Sequence, residues 1–304
     1  MAVPNEKIVR VDTLILYAFS HSDGWREENL LFWLIRGLVP NSRYHFVLIV
    51  NGHLHPSWRH LLDRVAASLA CFEWYQRPNS GRDVCAWHSV LSGTIRLLRP
   101  LASFVRFVLT NASCRGPFLP AYYRRPWPEV FLSALNRAVA LSGVTFHCDC
   151  EAPYTRYGEC KSGPDVHIQS YLLAFGARLL PLVLGLQRQA CEGGKGWDAW
   201  WFEKALTRRV LADGGSLAVT QAVWAGVDFR DAAAVRRICA AEAAPVGRDG
   251  NPLVAGQNAG LDIHPAEVVF FKTNSNVSAF ALRSYTRSAL VGLPWALPPE
   301  VFCG

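Results

Sequence analysis

The chain has 304 residues, about half of them hydrophobic (51%) and few of them charged (18%), with a formal net charge of +7. Such a composition builds one large domain or two small ones and excludes a disordered chain. The basic excess lies mostly in scattered arginines, from Arg77 and Arg82 to Arg236 and Arg237, and no basic run interleaves with aromatics. That excludes a nucleic-acid groove and suits a diphosphate-bearing ligand, for which a few guanidinium forks suffice.

Taken in chain order, the first 150 residues alternate between strand and helix patterns. Thr13 to Phe19 is an apolar run of strand formers, Asn29 to Leu38 a helix closed by Gly37 and Pro40, and Tyr44 to Val50 a strand stopped by Asn51-Gly52. Trp58, Leu61, Leu62, Val65, Ala66 and Leu69 share one helical face, and 71–75 reads as a third strand. A polar loop follows, Arg77-Pro-Asn-Ser-Gly-Arg-Asp83, with Asp83 where a helix N-cap belongs. Trp87, Val90, Leu91, Thr94, Ile95 and Leu98 then carry the helical spacing. Phe104 to Leu109 is a fourth strand, Trp127 to Ala140 a helix, and Val144 to Cys148 a fifth strand.

Later segments are less regular. His167 to Arg178 and Trp200 to Leu211 read as helices around the loop Gly193-Gly194-Lys195-Gly196. Residues 231–243 form an alanine-rich helix, 244–260 a loop, and Val268 to Lys272 a late strand. The expected class is α/β, an open, mostly parallel sheet with helices on both faces. The chain reads as a single domain, 1–304, with a nucleotide-binding half at 1–150 and an acceptor-side half and C-terminal extension at 151–304.

Nine cysteines without regular spacing indicate no disulfide framework. His147-Cys148-Asp149-Cys150 is too tight for a structural zinc pair, and no second pair follows. The apolar stretch at 13–19 is too short for a signal peptide, and Tyr171 to Leu186, interrupted by Arg178 and Pro181, reads as a buried helix and turn. The expectation is a soluble chain, cytoplasmic or held at a membrane face through a partner.

In an open α/β sheet, ligands bind beyond the carboxyl ends of the strands. Three polar segments fall there: Ser20-His21-Ser22-Asp23, the loop ending in Asp83, and Thr110-Asn111-Ala112-Ser113-Cys114-Arg115-Gly116-Pro117. The third sits where sugar-nucleotide transferases place an acidic metal clamp, but Asn111 and Ser113 stand in place of acids. Neutral oxygens hold Mg²⁺ or Mn²⁺ weakly unless phosphates add ligands.

The chain resembles the rhamnan synthesis protein F-type glycosyltransferases. The matching segments are Tyr17 to Leu38 with Asn29-Leu30, Arg77 to Asp83, Leu109 to Phe118, Val166-His-Ile-Gln-Ser170, and His264-Pro-Ala-Glu-Val-Val-Phe-Phe-Lys272. The resemblance implies a GT-A-like fold and transfer of a sugar from a nucleotide-sugar donor to a glycan or glycoconjugate hydroxyl; the expected course is inverting. It implies that the Asn-Ser-Gly-Arg-Asp loop touches the nucleotide and that the Asn111 turn lies beside the diphosphate. Tyr17, Asn79, Gly81, Arg82, Asp83, Asn111, Ser113, Arg115 and Lys272 are then the donor residues. His167, Gln169 and Trp200 would meet the acceptor. Asn111, Ser113 and His264 would hold a Mn²⁺ or Mg²⁺ ion, weakly, since Ala112 removes a potential ligand, the Asp or Ser that some relatives carry there.

Inverting transfer needs a carboxylate base within reach of the acceptor hydroxyl. Glu203, in Trp200-Trp-Phe-Glu-Lys, is the first candidate, and Asp149 and Glu151 compete with it. The rival class is a nucleotide- or carbohydrate-binding module without turnover. A nucleotidyltransferase lacks the acidic triplet that would hold two metals.

Overall fold

The computed structural model describes residues 11–21, 24–39, 43–149, 165–193, 199–243, 251–256, 258, 261–275 and 279–291. In chain order its elements are β1 (Thr13–Ser20), α1 (Gly24–Arg36), β2 (Tyr44–Asn51), α2 (Pro56–Ser68), β3 (Phe72–Arg77), α3 (Arg82–Leu91), β4 (Arg106–Asn111), β5 (Cys114–Arg115), α4 (Pro128–Leu132), β6 (Val139–Gly143) and β7 (Phe146–Asp149). There follow β8 (Asp165–Ile168), β9 (Leu172–Gly176), α5 (Leu180–Glu192), α6 (Ala199–Ala212), β10 (Ser216–Val219), α7 (Ala232–Ala243), α8 (Pro265–Val268), β11 (Phe271–Lys272) and α9 (Ala279–Leu290).

Seven strands make the central sheet in the order β10-β6-β9-β4-β1-β2-β3. All neighbours are parallel except β9, which runs antiparallel between β4 and β6. The fold is α/β with an open, mostly parallel sheet, as the sequence pattern indicates. Strand β1 is a near-continuous apolar run from Leu14 to Phe19, as suits a strand covered on both faces. Ile15, Tyr17 and Phe19 pack with Leu30 and Trp33 of α1 and Leu62 and Val65 of α2. Leu14, Leu16 and Ala18 face the opposite layer, with Trp87 and Val90 of α3, Val183 of α5 and Phe202 of α6. Trp87 and Trp127 are wholly buried, and each indole N–H finds a carbonyl, that of Thr110 (3.2 Å) and of Gly37 (2.8 Å) respectively.

Chain order builds β2 and β3 on one side of β1 and β4 on the other. The reversal falls between β1 and β4, where Ala18 pairs with Asn111, and it opens a crevice at the carboxyl ends of these strands.

Several sequence expectations are corrected. The helix expected over Trp127 to Ala140 ends at Leu132. Four residues further on, Asn136 Oδ1 accepts from the backbone N–H groups of Ala138 (2.8 Å) and Val139 (2.9 Å), which turns the chain into β6. The sheet strand is thus Val139–Gly143, and Phe146–Asp149 leaves the sheet to pair with β8. The helix expected over His167 to Arg178 is instead β8, a short connection and β9. Its continuous apolar run Tyr171 to Phe175 carries no period, so helix and buried strand read alike there. The same correction applies to the buried helix expected from Tyr171. The helix after Asp83 stops at Leu91, before Gly93 at φ +79°. The late strand is confined to Phe271–Lys272, paired with β5, because Pro265 to Val268 form a helical turn and Val269 adopts φ +66°.

Disulfides are present: Cys85 bonds Cys191 and Cys148 bonds Cys239, and Cys71 is also cross-linked. The expectation of no disulfide framework fails because these partners lie 106 and 91 residues apart, a pairing that local spacing does not reveal. Among the described residues no helix is long and apolar enough to cross a membrane.

Candidate functional site

The crevice at the β1–β4 reversal holds a polar cleft of about 310 Å³. Strand ends supply its floor, with Ala18, Phe19 and Ser20 from β1, Asn51 from β2 and Asn111 from β4. Asn79, Arg82 and Asp83 form one wall. Ser170, Tyr171 and Glu203 form the opposite wall, and Arg26, Lys272 and Asn274 complete the rim. Three cations, Arg26, Arg82 and Lys272, thus meet two carboxylates, Asp83 and Glu203, in a space suited to an anionic ligand. A larger apolar concavity, about 470 Å³, lies between α5 and α6; its only ionisable lining residues are Arg208 and Arg209.

The Asn79–Asp83 wall is shaped by backbone conformation. Gly81 is the cap of α3 at φ +69°, and Arg82 follows at φ +54°, a left-handed value that non-glycine residues seldom adopt. Only glycine fits at 81, since a Cβ there would lie 2.1 Å from Cys85 Sγ. The cap is therefore Gly81 and not Asp83. Asp83 sits in the first turn, where Oδ1 accepts from the Val84 N–H (3.0 Å) and Oδ2 from Asn111 Nδ2. Neighbouring Asn51 is equally engaged, accepting from Arg77 (2.6 Å) and donating to the Arg82 carbonyl (3.3 Å).

At the end of β4, Asn111 Oδ1 accepts from Ser113 N (2.9 Å) and Ser113 Oγ (2.5 Å). The amide and hydroxyl that stand where an acidic clamp would be are thus bonded to each other and to Asp83. Among the described residues no three His, Cys, Asp or Glu side chains converge as a metal site. One carboxylate and engaged neutral oxygens do not fit a preformed divalent-cation site.

Glu203 comes from the first turns of α6. Oε1 accepts from Ser170 N (2.5 Å) and Ser170 Oγ (2.7 Å), while Oε2 lies 3.6 Å from His167 Nε2. Its side chain is 12% exposed. Burial pushes its pKa above the ordinary carboxylate value, Asp83 adds to the rise, and the Ser170 donors and Lys272 oppose it. Cys114, the free thiol among the described cysteines, lies under the cleft and is pushed up to about 11 by burial, which leaves it unreactive.

Of the residues singled out from sequence, Asn79, Arg82, Asp83, Asn111, Ser113, Lys272 and Glu203 are brought together. Others are not. Tyr17 is buried beneath the cleft, stacked on Trp33 at 4.4 Å. Gly81 shapes the wall without lining it. Arg115 is 3% exposed, and its guanidinium is spent on Asn29 (2.8 Å), Glu28 (2.7 Å) and Thr286 (3.2 Å). His167 and Gln169 do not open a helix: His167 is on β8 and Gln169 just beyond it, and both are buried. Gln169 accepts from Thr145 Oγ1 (2.7 Å). Trp200 is half exposed outside the cleft, with Lys204 Nζ 3.3 Å from its ring centre. His264 is a helix cap, its Nδ1 accepting from Ala266 N (3.3 Å) and its ring packed edge-on against Tyr285 (4.7 Å), and it does not line the cleft with Asn111 and Ser113. Asp149 ends β7, while Glu151, Gly194 to Gly196 and most of 244–260 lie outside the described residues.

Sequence reading missed Arg26 and Asn274. Arg26 had a signal: it is basic, it opens the first helix after the β1 loop, and its guanidinium donates to Ser20 Oγ. Asn274 carried none.

No family model matches the chain, and no curated protein matches it. Among solved structures it is similar to the mannosyltransferase PcManGT from Pyrobaculum calidifontis, in complex with GDP-Man and Mn²⁺, at 13% identity and TM-score 0.44, over 69% of this chain and 55% of that one. It is also similar to the apo-form glycosyltransferase GlyE of Streptococcus pneumoniae TIGR4, at 9% identity and TM-score 0.40, over 69% of this chain and 46% of that one. The chain spans about half the length of each. The cleft, not these likenesses, carries the functional reading.

Proposed function

We propose that the protein transfers a sugar from a nucleotide-sugar donor to a glycan or glycoconjugate hydroxyl, by an inverting course, as the resemblance to rhamnan synthesis protein F-type transferases suggests. One observation carries this reading. A carboxylate of raised pKa, Glu203, and three cations, Arg26, Arg82 and Lys272, line one cleft at the reversal point of the sheet. A nucleoside diphosphate placed there meets guanidinium and ammonium charge, which stabilises the oxyanion as it leaves. Glu203 takes the proton of the acceptor hydroxyl. The hydroxyl oxygen forms the new bond to the anomeric carbon, and the bond from that carbon to the diphosphate oxygen breaks with its electron pair. In this reading Asn79 and Asp83 meet the nucleotide.

A second reading, a binding module without turnover, is favoured by the engaged clamp residues Asn111 and Ser113. Thermal unfolding with UDP-, GDP- and dTDP-sugars tests the donor site. A bound donor at ~100 times its dissociation constant adds ~2.7 kcal/mol of stability. The shift is expected with one nucleobase and is expected to shrink in Lys272→Met. If no nucleotide-sugar raises the melting temperature, both readings that place a nucleotide in this cleft fail. Binding with no turnover on any acceptor leaves the module.

A further inference from the structure

Glu203 lines the cleft and His167 does not, yet the two side chains meet, with Oε2 and Nε2 3.6 Å apart. Their spacing is fixed by backbone. Ile168 N donates to Thr207 Oγ1 (3.1 Å), one turn beyond Glu203, and so clamps β8 against α6. Ser170 N and Oγ fix the other carboxylate oxygen. On the far side of His167 stands His147, its cross-strand partner, with ring centres 4.9 Å apart. Both histidines are buried. Among the described residues the ionisable groups that face Glu203 are His167 from β8, Lys272 from β11 and Asp83 from α3. A separation of 3.6 Å is too long for a short hydrogen bond and right for an ion pair.

We propose that His167 is a positioning residue for Glu203: its imidazolium faces Oε2, keeps the carboxylate ionised against burial, and leaves it turned to the cleft. The serine donors satisfy Oε1 without supplying full charge, so among the described residues His167 and Lys272 are the groups that can offset desolvation with positive charge. A proton shared between His167 and Glu203 belongs to the pair, and each group sets the other's titration. The catalytic meaning rests on the transfer reading, but the pairing is measurable without turnover.

The test follows both groups by NMR across pH, using the ¹³C-carboxyl of Glu203 and the imidazole C–H of His167. His167→Gln is expected to raise the Glu203 midpoint by about one pH unit. Glu203→Gln is expected to lower the His167 midpoint by the same amount, because coupling between two sites is reciprocal. In the transfer assay, His167→Gln moves the acid limb of kcat/KM upward by that interval, a change that loose packing alone does not produce. If His167→Gln fails to fold, the Glu203→Gln arm decides alone. Midpoints that stay in place overturn the pairing even if transfer is active. Midpoints that move in a protein that transfers no sugar keep the pairing and remove the transfer reading.

Discussion

The cross-link between Cys85 and Cys191 offers a prediction whose size follows from the chain. Cys85 lies two residues beyond Asp83 in α3, and Cys191 lies at the end of α5, just before the segment that leads to α6 and Glu203. The bond therefore ties α3, which carries Asp83, to α5, which packs against the helix that carries Glu203. It closes 106 residues, and the chain-entropy model gives about 4.7 kcal/mol for a loop near that length. Measured effects usually fall to about 2–4 kcal/mol. Either figure is a large part of the roughly 5–15 kcal/mol that holds a domain folded. The paired variant Cys85→Ala with Cys191→Ser is expected to lose about 2–4 kcal/mol in urea unfolding and to bind donor more weakly. Wild type in reductant should move toward the variant. Alkylation before reduction should leave Cys85 and Cys191 unmodified in wild type. The reasoning is refuted if variant and wild type unfold at the same urea concentration while both thiols of the native protein are already reactive. Disulfides of this kind persist in oxidising surroundings.

Further outcomes follow from the same geometry. Gly81→Ala should cost about 1–2 kcal/mol for its left-handed backbone alone, and more for the contact with Cys85 Sγ, which the disulfide holds in place; unfolding midpoints check it. Asp83→Ala should keep the fold and lose roughly 1–3 kcal/mol of donor affinity by calorimetry, with unchanged affinity counting against its place at the nucleotide. Because His264 caps α8, His264→Ala should leave any response to Mn²⁺ unchanged, and titration of the ligand-free protein should find no tight Mn²⁺ site.

Half of the molecule was legible because its signals were local. The β1, β2 and α2 segments carry unbroken apolar runs or a clean helical face, and their bounds in the structure differ by a few residues from those read. The polar loops could be placed at one sheet edge from strand order alone, which is why Asn79, Asp83, Asn111 and Ser113 were found. The second half was not legible in the same way. Strand β9 inserts antiparallel between β4 and β6, a long-range event that no local period announces. Beyond the helix end at Leu132, Asn136 turns the chain into β6 through side-chain bonds to the next amides, a turn device hidden in an otherwise helical window. Arg115 and His264 looked like ligands by residue type, but the Arg115 guanidinium is committed to Asn29 and Glu28, and His264 caps a helix away from the cleft. Glu203 was found by its place after a glycine loop, whereas its partner Ser170 depended on the β8–β9 connection.

The account stands most directly on the rate of sugar transfer by Glu203→Gln. The amide keeps the shape and can still accept the Ser170 hydrogen bonds, but it cannot take a proton. With the donor and acceptor that wild type uses, donor affinity and fold should be retained and turnover should fall by about 10²–10⁴-fold, the usual worth of a general base. A variant that transfers sugar as fast as wild type would contradict the assignment and move the base to Asp149 or Glu151.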